Sequence, residues 1–175
     1  MGNTLNQVFY TKQINVIWIG DISYIPTKQG WLYLAVVLDL CSRKVVGWAC
    51  SPDTDLTERA LRLAVHRRRP EKGLMFHSDR GPQYTSVQYQ ACLAEFGMVA
   101  SQSRPGHCTD NAVTERFFRS LKSERVYRQH YETLDEGMLN IADYIERYYN
   151  HCRLHSTLDY LSPVMFERQN RMNSK

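Results

Sequence analysis

The sequence lacks the features that would place it in a membrane, a fibre or a disulfide scaffold. No apolar run approaches the ~18 residues needed to span a bilayer, and the longest candidate, Trp31 to Leu40, has the length of a strand. Nine glycines and six prolines are too few for a collagen-like or linker-dominated chain. The first residues have neither a basic start nor an apolar core, so no signal peptide is visible. With 175 residues, 43% hydrophobic and 23% charged, the chain is expected to form one globular domain.

The five cysteines give no sign of a disulfide framework. Their number is odd, they are widely spaced, and no Cys-x-x-Cys pair occurs, which is typical of reduced thiols in a cytosolic protein. A zinc site can be assembled on paper from His107, Cys108, His151, Cys152 and His155. No local spacing supports that site, so scattered residues without a common ligand are the favoured interpretation.

The excess of positive charge is small but unevenly distributed. The chain has 22 Lys and Arg against 18 Asp and Glu, a net charge of +4, which is a weak indication of an acidic partner. Basic residues are concentrated in segments 62–72 and 104–130. Because such runs are more often solvated faces than binding sites, they do not by themselves predict a nucleic-acid partner.

The hydrophobic pattern predicts an α/β fold. Three segments rich in Val, Ile, Tyr and Trp have the composition of strands joined by tight turns; they are 16–25, 31–40 and 44–50. Helical periodicity follows at 57–66, 86–96, 111–130 and 134–149, with short apolar strands at 74–77 and 98–101. This order implies a mixed central sheet, with three antiparallel strands and then parallel strands, flanked by helices.

Three acidic residues stand where the local pattern disfavours acids. Asp21 lies inside an apolar strand, Asp79 follows a short strand of buried appearance, and Glu115 lies at the start of a helix, away from its apolar face. Each has an ordinary explanation, respectively a strand edge or bulge, a turn, and a first-turn acid complementing the helix dipole. Together, three carboxylates at strand and helix ends could converge on Mg²⁺ or Mn²⁺, which catalyse attack at phosphate.

The segments around these acids resemble a known family. WIGDISYIPTKQGWLYLAVVLDLCSRKVVGWA, FHSDRGPQYTS and DNAVTERFFRSLKSE resemble, in order, the three acidic motifs of the integrase catalytic core of bacterial insertion-sequence transposases. The 35 residues between Asp79 and Glu115 match the spacing of the Asp-Asp-Glu superfamily, which includes retroviral integrases. The C-terminal YIERYYNHCRLHSTLDYLSPVMFE is also similar to the segment that closes these proteins. The resemblance covers residues 5–167 and implies a ribonuclease-H-like fold.

The resemblance implies an enzyme that cleaves and transfers DNA strands during transposition of an insertion sequence. Asp21, Asp79 and Glu115 match the catalytic triad, which would hold two Mg²⁺ ions, with Mn²⁺ as a substitute. His77 and Gly81 match the frame around the second acid, where the glycine is expected to permit a tight backbone path.

The resemblance also points to DNA-binding residues. Lys122 matches a position from which a basic residue reaches DNA near the scissile end, and a solvated helix lysine is the alternative. The neighbouring Arg104, Arg116 and Arg119 are predicted to contact DNA as well. Asp39 is expected to be a turn residue and not a metal ligand.

The same family implies a domain plan and a set of partners. Residues 1–13 would be a lead-in, 14–130 the integrase catalytic core and 131–175 a C-terminal helical segment of that core. The partners would be double-stranded DNA, further copies of the chain on that DNA, and an upstream helix-turn-helix subunit or frameshift-fused region, because about a dozen residues precede the first strand. The expected location is the bacterial cytoplasm, associated with the nucleoid, with no membrane partner.

Two other functions compete with this prediction. A catalytically silent DNA-binding or multimerising remnant of a decayed element would also lack the upstream region. A ribonuclease-H-type hydrolase acting on RNA–DNA hybrids would share the fold and the metals. The 35-residue spacing and the basic residues that follow Glu115 favour the transposase.

Overall fold

The computed structural model describes residues 11–53, 56–103 and 112–173, which form a five-stranded sheet with helices on both faces. The strands are β1 (Ile17–Thr27), β2 (Gly30–Asp39), β3 (Val45–Ser51), β4 (Met75–Ser78) and β5 (Val99–Gln102). The helices are α1 (Thr57–Arg68), α2 (Pro82–Thr85), α3 (Val87–Glu95), α4 (Ala112–Glu124), α5 (Leu134–Asp143) and α6 (Pro163–Asn173).

The sheet is mixed, as the sequence predicts. Its strand order is β3-β2-β1-β4-β5. Strands β1, β2 and β3 form an antiparallel meander, and β4 and β5 then add in parallel beside β1. Because β4 is short, it pairs with β1 only from Ile17 to Gly20. The middle of β1 therefore lies at the carboxyl end of the parallel part of the sheet.

Each face of the sheet carries its own hydrophobic core, which follows from the alternation of side chains along a strand. On one face, α1 and α3 pack against the sheet in a cluster that contains Trp18, Leu61 and Phe76. On the other face, Phe117 of α4 and Ile141 of α5 are among the residues that pack against the sheet. The site described below lies on the face that carries α4.

The chain after residue 143 departs from the predicted single helix. The α5 helix continues as a π-helix, Tyr144–Tyr149, and a single-turn π segment of this kind is rare and often lies at functional sites. The predicted helix over 111–130 is shorter, because α4 ends at Glu124 and a 3₁₀ turn, Val126–Arg128, follows. The boundaries 1–13, 14–130 and 131–175 stay predictions.

Buried ionic groups fasten α6 to the rest of the fold. Arg68 donates two hydrogen bonds to the carboxylate of Glu167, at 2.7 and 2.8 Å, and Ser42 donates to the same carboxylate.

Asp39 is fully buried and accepts backbone N–H bonds from Asn15, Cys41 and Ser42. Asp39 therefore closes the turn between β2 and β3.

Within the described ranges, no helix is long and apolar enough to cross a membrane.

The packing of α1 on β3 requires a glycine, which gives the first prediction. A Cβ at Gly47 would overlap the carbonyl oxygen of Ala60 and lie 2.6 Å from the Cβ of Ala64. Because backbone atoms would have to shift, Gly47→Ala should lower the free energy of unfolding by about 1–3 kcal/mol, measured by urea denaturation.

Gly137→Ala is the matched control for this change. The nearest atom to a Cβ at Gly137 is a methyl group of Leu32 at 3.1 Å, which a side-chain rotation can relieve. Alanine is also favoured over glycine in a helix by up to ~1 kcal/mol. Equal stability of the Gly47→Ala and Gly137→Ala proteins would contradict this account of the packing.

Candidate active site

The parallel pairing of β1 with β4 brings two of the predicted acids together. Gly20 pairs with Ser78 in the register of these strands, so Asp21 and Asp79 each follow the last pair by one residue. Neighbouring strands lie about 4.8 Å apart, and residues in register point to the same face. Asp21 and Asp79 therefore stand side by side where β4 ends.

The carboxylate of Asp21 is held by two donors. Its Oδ1 accepts the backbone N–H of Ile22 at 2.8 Å, and the side chain of Thr114 on α4 also hydrogen-bonds to it. Thr114 is fully buried. The first turn of α4 is therefore tied directly to the middle of β1.

The surroundings of Asp21 oppose its negative charge. The pKa of Asp21 is raised to about 7, chiefly by burial and in addition by the charges of Asp79 and Glu115, against the lowering effect of the two hydrogen bonds. Both acids are thus near enough to act on Asp21 electrostatically. This is a concentration of negative charge that a cation would relieve.

Asp79 is oriented by the turn that follows it. Its Oδ1 accepts the backbone N–H of Gly81 at 2.9 Å, which is the geometry of an Asx turn. A Cβ at Gly81 would lie 3.0 Å from that same Oδ1. Gly81 has φ −56°, an ordinary value, so the glycine serves the close approach of the carboxylate and not an unusual backbone path.

The helix α4 has the buried and exposed faces that the sequence predicts. Phe117 and Leu121 are buried, whereas Glu115 and Arg119 are exposed. Lys122 is half-buried, with its Nζ 5.1 Å from the ring centroid of Tyr24 in a cation–π contact.

The remaining predicted DNA contacts divide between the described and undescribed parts of the chain. Arg116 is exposed on another side of α4 and lines a cavity with Arg43. Arg104 lies outside the described residues, as do His107 and Cys108 of the zinc hypothesis. Of the other residues in that hypothesis, Cys152 is exposed and His155 is buried against the ring of Tyr149.

His77 belongs to the frame of the site. It is fully buried in β4, and its ring nitrogens lie 3.0 and 3.1 Å from the hydroxyl oxygens of Ser101 and Ser103. Because Ser101 lies in β5 and Ser103 just beyond it, His77 joins the ends of β4 and β5. It therefore fixes the strand end from which Asp79 emerges.

Sequence reasoning missed the residues that hold the far end of α4. Glu124, at that end, accepts hydrogen bonds from Arg153 at 2.9 Å and from the hydroxyl of Tyr144 at 2.7 Å. Arg153 also donates to the hydroxyl of Ser120. Asn150 is buried and pairs with both backbone groups of Val45 on β3. The signal in the sequence for these contacts was the polar segment YNHCRLH, which is part of the resemblance to the family. Its local pattern does not show which residues elsewhere in the chain it contacts.

The chemistry of the donor set suits a hard divalent cation. Within the described residues, no three His, Cys, Asp or Glu side chains stand close enough together to hold a metal ion. Mg²⁺ does not need such a cage, because it is commonly held by one or two carboxylates together with waters and substrate phosphates. The adjacent carboxylates of Asp21 and Asp79, near Glu115, fit that mode of binding.

Comparison with known proteins shows which family the chain resembles. An integrase core domain model matches residues 11–108, and a second integrase core domain model matches residues 115–170. The transposase for insertion sequence element IS904 of Lactococcus lactis is 45% identical over 170 residues, and the transposase InsF for insertion sequence IS3A of Escherichia coli is 44% identical. Both alignments cover 96% of this chain, but the chain spans only 67% and 59% of those relatives.

Solved structures show the fold. A chain of the simian T-cell lymphotropic virus intasome superposes with a TM-score of 0.71 at 18% identity, covering 90% of this chain and 55% of that one. The catalytic core domain of BIV integrase gives 0.60 at 18% identity, covering 92% and 99%. The HTLV-2 integrase catalytic core domain, solved in complex with magnesium, gives 0.62 at 18% identity, covering 87% and 96%. The fold is therefore that of integrase catalytic cores, which is ribonuclease-H-like.

The charge on Asp21 gives the second prediction. Because the pKa of Asp21 is about 7 in the folded protein, against an ordinary value of 3.8, the folded protein loses stability as the pH rises from about 4 to about 7. Asp21→Asn removes that charge and should raise the free energy of unfolding at pH 8 by on the order of 2 kcal/mol, with little change below pH 4. Thermal denaturation across pH measures both.

Bound Mg²⁺ should offset the same unfavourable charge on Asp21. Addition of Mg²⁺ at pH 8 should stabilise the wild-type protein, because a bound cation offsets the negative charge of the acids, and should stabilise Asp21→Asn much less. Asp159→Asn, a change at an exposed acid in a left-handed conformation, is the control and should behave as wild type. An Asp21→Asn protein no more stable than wild type at pH 8 would be inconsistent with the electrostatics described.

Proposed function

The chain belongs to the integrase core domain family of insertion-sequence transposases, and we propose that it is the catalytic core that cleaves and transfers DNA strands during transposition. The observation that carries the proposal is the register of β1 and β4, which sets Asp21 beside Asp79 on the face covered by α4. A pair of carboxylates, one within a strand and one in the turn that directly follows a strand, suits a reaction that depends on the placement of phosphate and metal.

Asp21, Asp79 and Glu115 are proposed as the catalytic residues and metal ligands. When bound, two Mg²⁺ ions, or Mn²⁺ in their place, would lower the pKa of the attacking water or 3′-hydroxyl and stabilise the leaving oxygen. In this proposal Asp21 and Asp79, which lie next to each other, are the first two ligands. Glu115, on the first turn of α4, is the third proposed ligand, although the three carboxylates do not stand together as a ready-made cage.

The residues around the acids keep their oxygens in place. The backbone N–H of Ile22 and the side chain of Thr114 hydrogen-bond to Asp21, and the N–H of Gly81 donates to Oδ1 of Asp79. Each of these bonds occupies part of a carboxylate and limits its rotation. The other lone pairs stay available for ligation.

DNA is the proposed substrate, at both the element ends and the target. Arg119 and Lys122 lie on the side of α4 that carries Glu115, so a phosphate backbone at the acids would run past them. Arg116 and Arg104 are further proposed contacts. Several copies of the chain are expected to assemble on DNA, and an upstream helix-turn-helix region, in the same polypeptide or a second subunit, is proposed to recognise the element ends. Such a protein would act in the bacterial cytoplasm beside the nucleoid.

The third prediction tests the chemistry at Asp79. With the proposed upstream helix-turn-helix region supplied and a duplex that carries the element's terminal repeat, the protein should nick or join DNA in the presence of Mg²⁺ or Mn²⁺ but not Ca²⁺, whose longer and looser coordination does not support in-line transfer. Asp79→Asn should abolish both products, because it removes a negative charge from the metal site while nearly preserving shape. Denaturing gels of labelled strands measure the products.

The controls separate loss of chemistry from loss of DNA binding. Asp159→Asn, at the exposed acid used above, should keep wild-type activity. DNA binding by Asp79→Asn should persist or tighten, because less negative charge faces the phosphates. Wild-type strand transfer by Asp79→Asn would eliminate the two-metal mechanism, and a wild-type protein that binds DNA yet is inert with every metal would indicate a decayed remnant.

The fourth prediction concerns Lys122. Lys122→Ala should weaken DNA binding and reduce the slope of log K against log[salt] by about one phosphate contact, measured by fluorescence anisotropy. Lys72→Ala is the control, because Lys72 is exposed beside Gly97 at the opposite ends of β4 and β5 from Asp79. The same slope in both variants would remove Lys122 from the DNA-binding set.

A further inference from the structure

Two aromatic rings lie exposed on the hairpin formed by β1 and β2. Tyr24 is 56% exposed and Trp31 is 52% exposed. Their rings meet edge to face, with centroids 5.1 Å apart and an interplanar angle of 88°. Because Tyr24 pairs with Tyr33 and Trp31 pairs with Pro26 in the register of the hairpin, the two rings are diagonal neighbours on one face of the sheet. Each ring therefore supports the other while much of the pair faces solvent.

The exposure of this pair is unusual for large aromatic side chains in this protein. Trp18 is fully buried, and Trp48 is half-buried with its indole N–H donated to Glu146. Tyr and Trp rings that share an exposed patch are more typical of binding surfaces than of the general protein surface. The contact between Tyr24 and Trp31 stabilises the hairpin but leaves both rings accessible to a ligand.

A cation from the proposed DNA-binding set stands against the same pair. Nζ of Lys122 lies 5.1 Å from the centroid of the Tyr24 ring. Lys122 belongs to α4, which packs on the face of the sheet opposite to the one that Tyr24 shares with Tyr33. Beyond Gly20, none of the described strands pairs with the side of β1 that faces β4. Lys122 therefore reaches the ring across this uncovered edge of β1.

The uncovered edge of β1 also leads to the carboxylates. Asp21 is the first residue of β1 after its last pair with β4, and Tyr24 follows three residues later. Since a strand rises about 3.3 Å per residue, about 10 Å of backbone separates the two residues. That length corresponds to about three nucleotides of a stacked strand, at ~3.4 Å each. A DNA strand that leaves the acids along this edge would pass Lys122 and reach the rings.

The chemistry of the rings favours an unpaired base as their ligand. Bases inside a duplex stack on one another, whereas an unpaired base can lie flat on an aromatic side chain. The phosphate beside such a base carries the negative charge that Lys122 complements. Aromatic rings next to a cation are the combination by which proteins hold single-stranded nucleic acid.

We propose that Trp31 and Tyr24 stack an unpaired base of the DNA strand that occupies the active site, with Lys122 on the phosphate beside that base. The identity of the partner, DNA, rests on the proposed function. Trp31 supplies the larger ring, and Tyr24 connects it to Lys122. Stacking there would keep the strand near the acids separated from its complement, so Trp31 and Tyr24 are positioning residues.

The test measures DNA binding in EDTA, so that no strand is cleaved. Two duplexes of about 20 base pairs are compared by fluorescence anisotropy, one blunt and one with a tail of about three unpaired thymidines, the length that separates the acids from the rings. The wild-type protein should bind the tailed duplex more tightly. Trp31→Leu should bind the tailed duplex about tenfold more weakly, as expected for the loss of one stacked base, and the blunt duplex less than about twofold more weakly.

The emission of Trp31 gives a second measurement. Stacking of a base on an indole quenches its fluorescence, and the environments of Trp18 and Trp48 keep them from the proposed site. The tailed duplex should quench the wild-type protein more than the blunt duplex does, and this difference should vanish in Trp31→Phe. Trp31→Phe should nevertheless keep most of the preference for the tail, because a phenyl ring still stacks.

Tyr160→Asn is the matched control for the loss of an exposed ring. Tyr160 is 70% exposed and has φ 58°, which asparagine tolerates. Its neighbours Asp159 and Leu161 line a cavity with α6. Since α6 is fastened to the turn between β2 and β3, Tyr160 lies toward the opposite end of β2 from Trp31. Tyr160→Asn should bind both duplexes as the wild-type protein does.

Three results would overturn the proposal. They are a wild-type protein that does not prefer the tailed duplex, an equal loss of affinity for both duplexes in Trp31→Leu, and the same quenching in Trp31→Phe as in the wild-type protein. A wild-type dimer that Trp31→Leu dissociates in the absence of DNA, seen by sedimentation velocity, would also overturn it and assign the rings to a contact between copies of the chain.

Failure of the proposed function gives a different pattern. If strand transfer is absent while the preference for the tail depends on Trp31, the rings stand as a DNA contact of a decayed remnant. If strand transfer occurs while Trp31→Leu shows no selective loss, only the stacking assignment fails. A wild-type protein that binds neither duplex would count against DNA as the partner and therefore against both proposals.

Discussion

The parallel pairing of β1 with β4 is the constraint on which the candidate site depends. It sets Asp21 beside Asp79, and a slip of one residue would turn one of the carboxylates to the opposite face of the sheet. The register is reinforced from the other face, where a Cβ at Gly20 would lie 2.5 Å from Phe76. The tight packing of an aromatic ring on a glycine, one residue before the acid, therefore secures the polar pair on the reverse side.

The pKa values of two buried acids, Glu167 in the fold and Asp21 at the candidate site, shift in opposite directions. Arg68 and Ser42 enclose the carboxylate of Glu167 and, against the effect of burial, their hydrogen bonds and the charge of Arg68 hold its pKa below the usual value. Burial raises the pKa of Asp21, and there the neighbouring charges are carboxylates, which add to the rise. The surroundings of Glu167 stabilise its ionised form. Those of Asp21 disfavour its ionised form, which a bound cation would stabilise. Burial alone does not mark a binding site, because it also raises the pKa of the structural residue Asp39; what sets Asp21 apart is the nearness of other carboxylates.

Local patterns in the sequence predict the strands, the main helices and the three acids, because alternation, helical periodicity and misplaced carboxylates are visible within a few residues. Patterns of that kind do not predict the bond between Arg68 and Glu167, which are 99 residues apart. They also miss the pairing of Asn150 with Val45, since it depends on how distant segments pack. The π-helix escapes prediction for a related reason: its residues have helical periodicity, and tertiary contacts such as Tyr144 with Glu124 accompany the local change of pitch.

The helix α4 is held unequally at its two ends, and this bears on how the site could assemble. Its last turn is fixed by Arg153 and Tyr144 through Glu124, whereas its first turn meets the sheet through Thr114 at Asp21 and through the contact of Val113 with Ile19 and Leu40. Glu115 stands exposed on that first turn, and its charge adds to those that oppose ionisation of Asp21. A cation bound at Asp21 and Asp79 would offset this concentration of negative charge. The position of Glu115 is therefore expected to depend on whether a cation is bound, because the end of α4 that carries it has fewer polar ties to the fold than the end that carries Glu124.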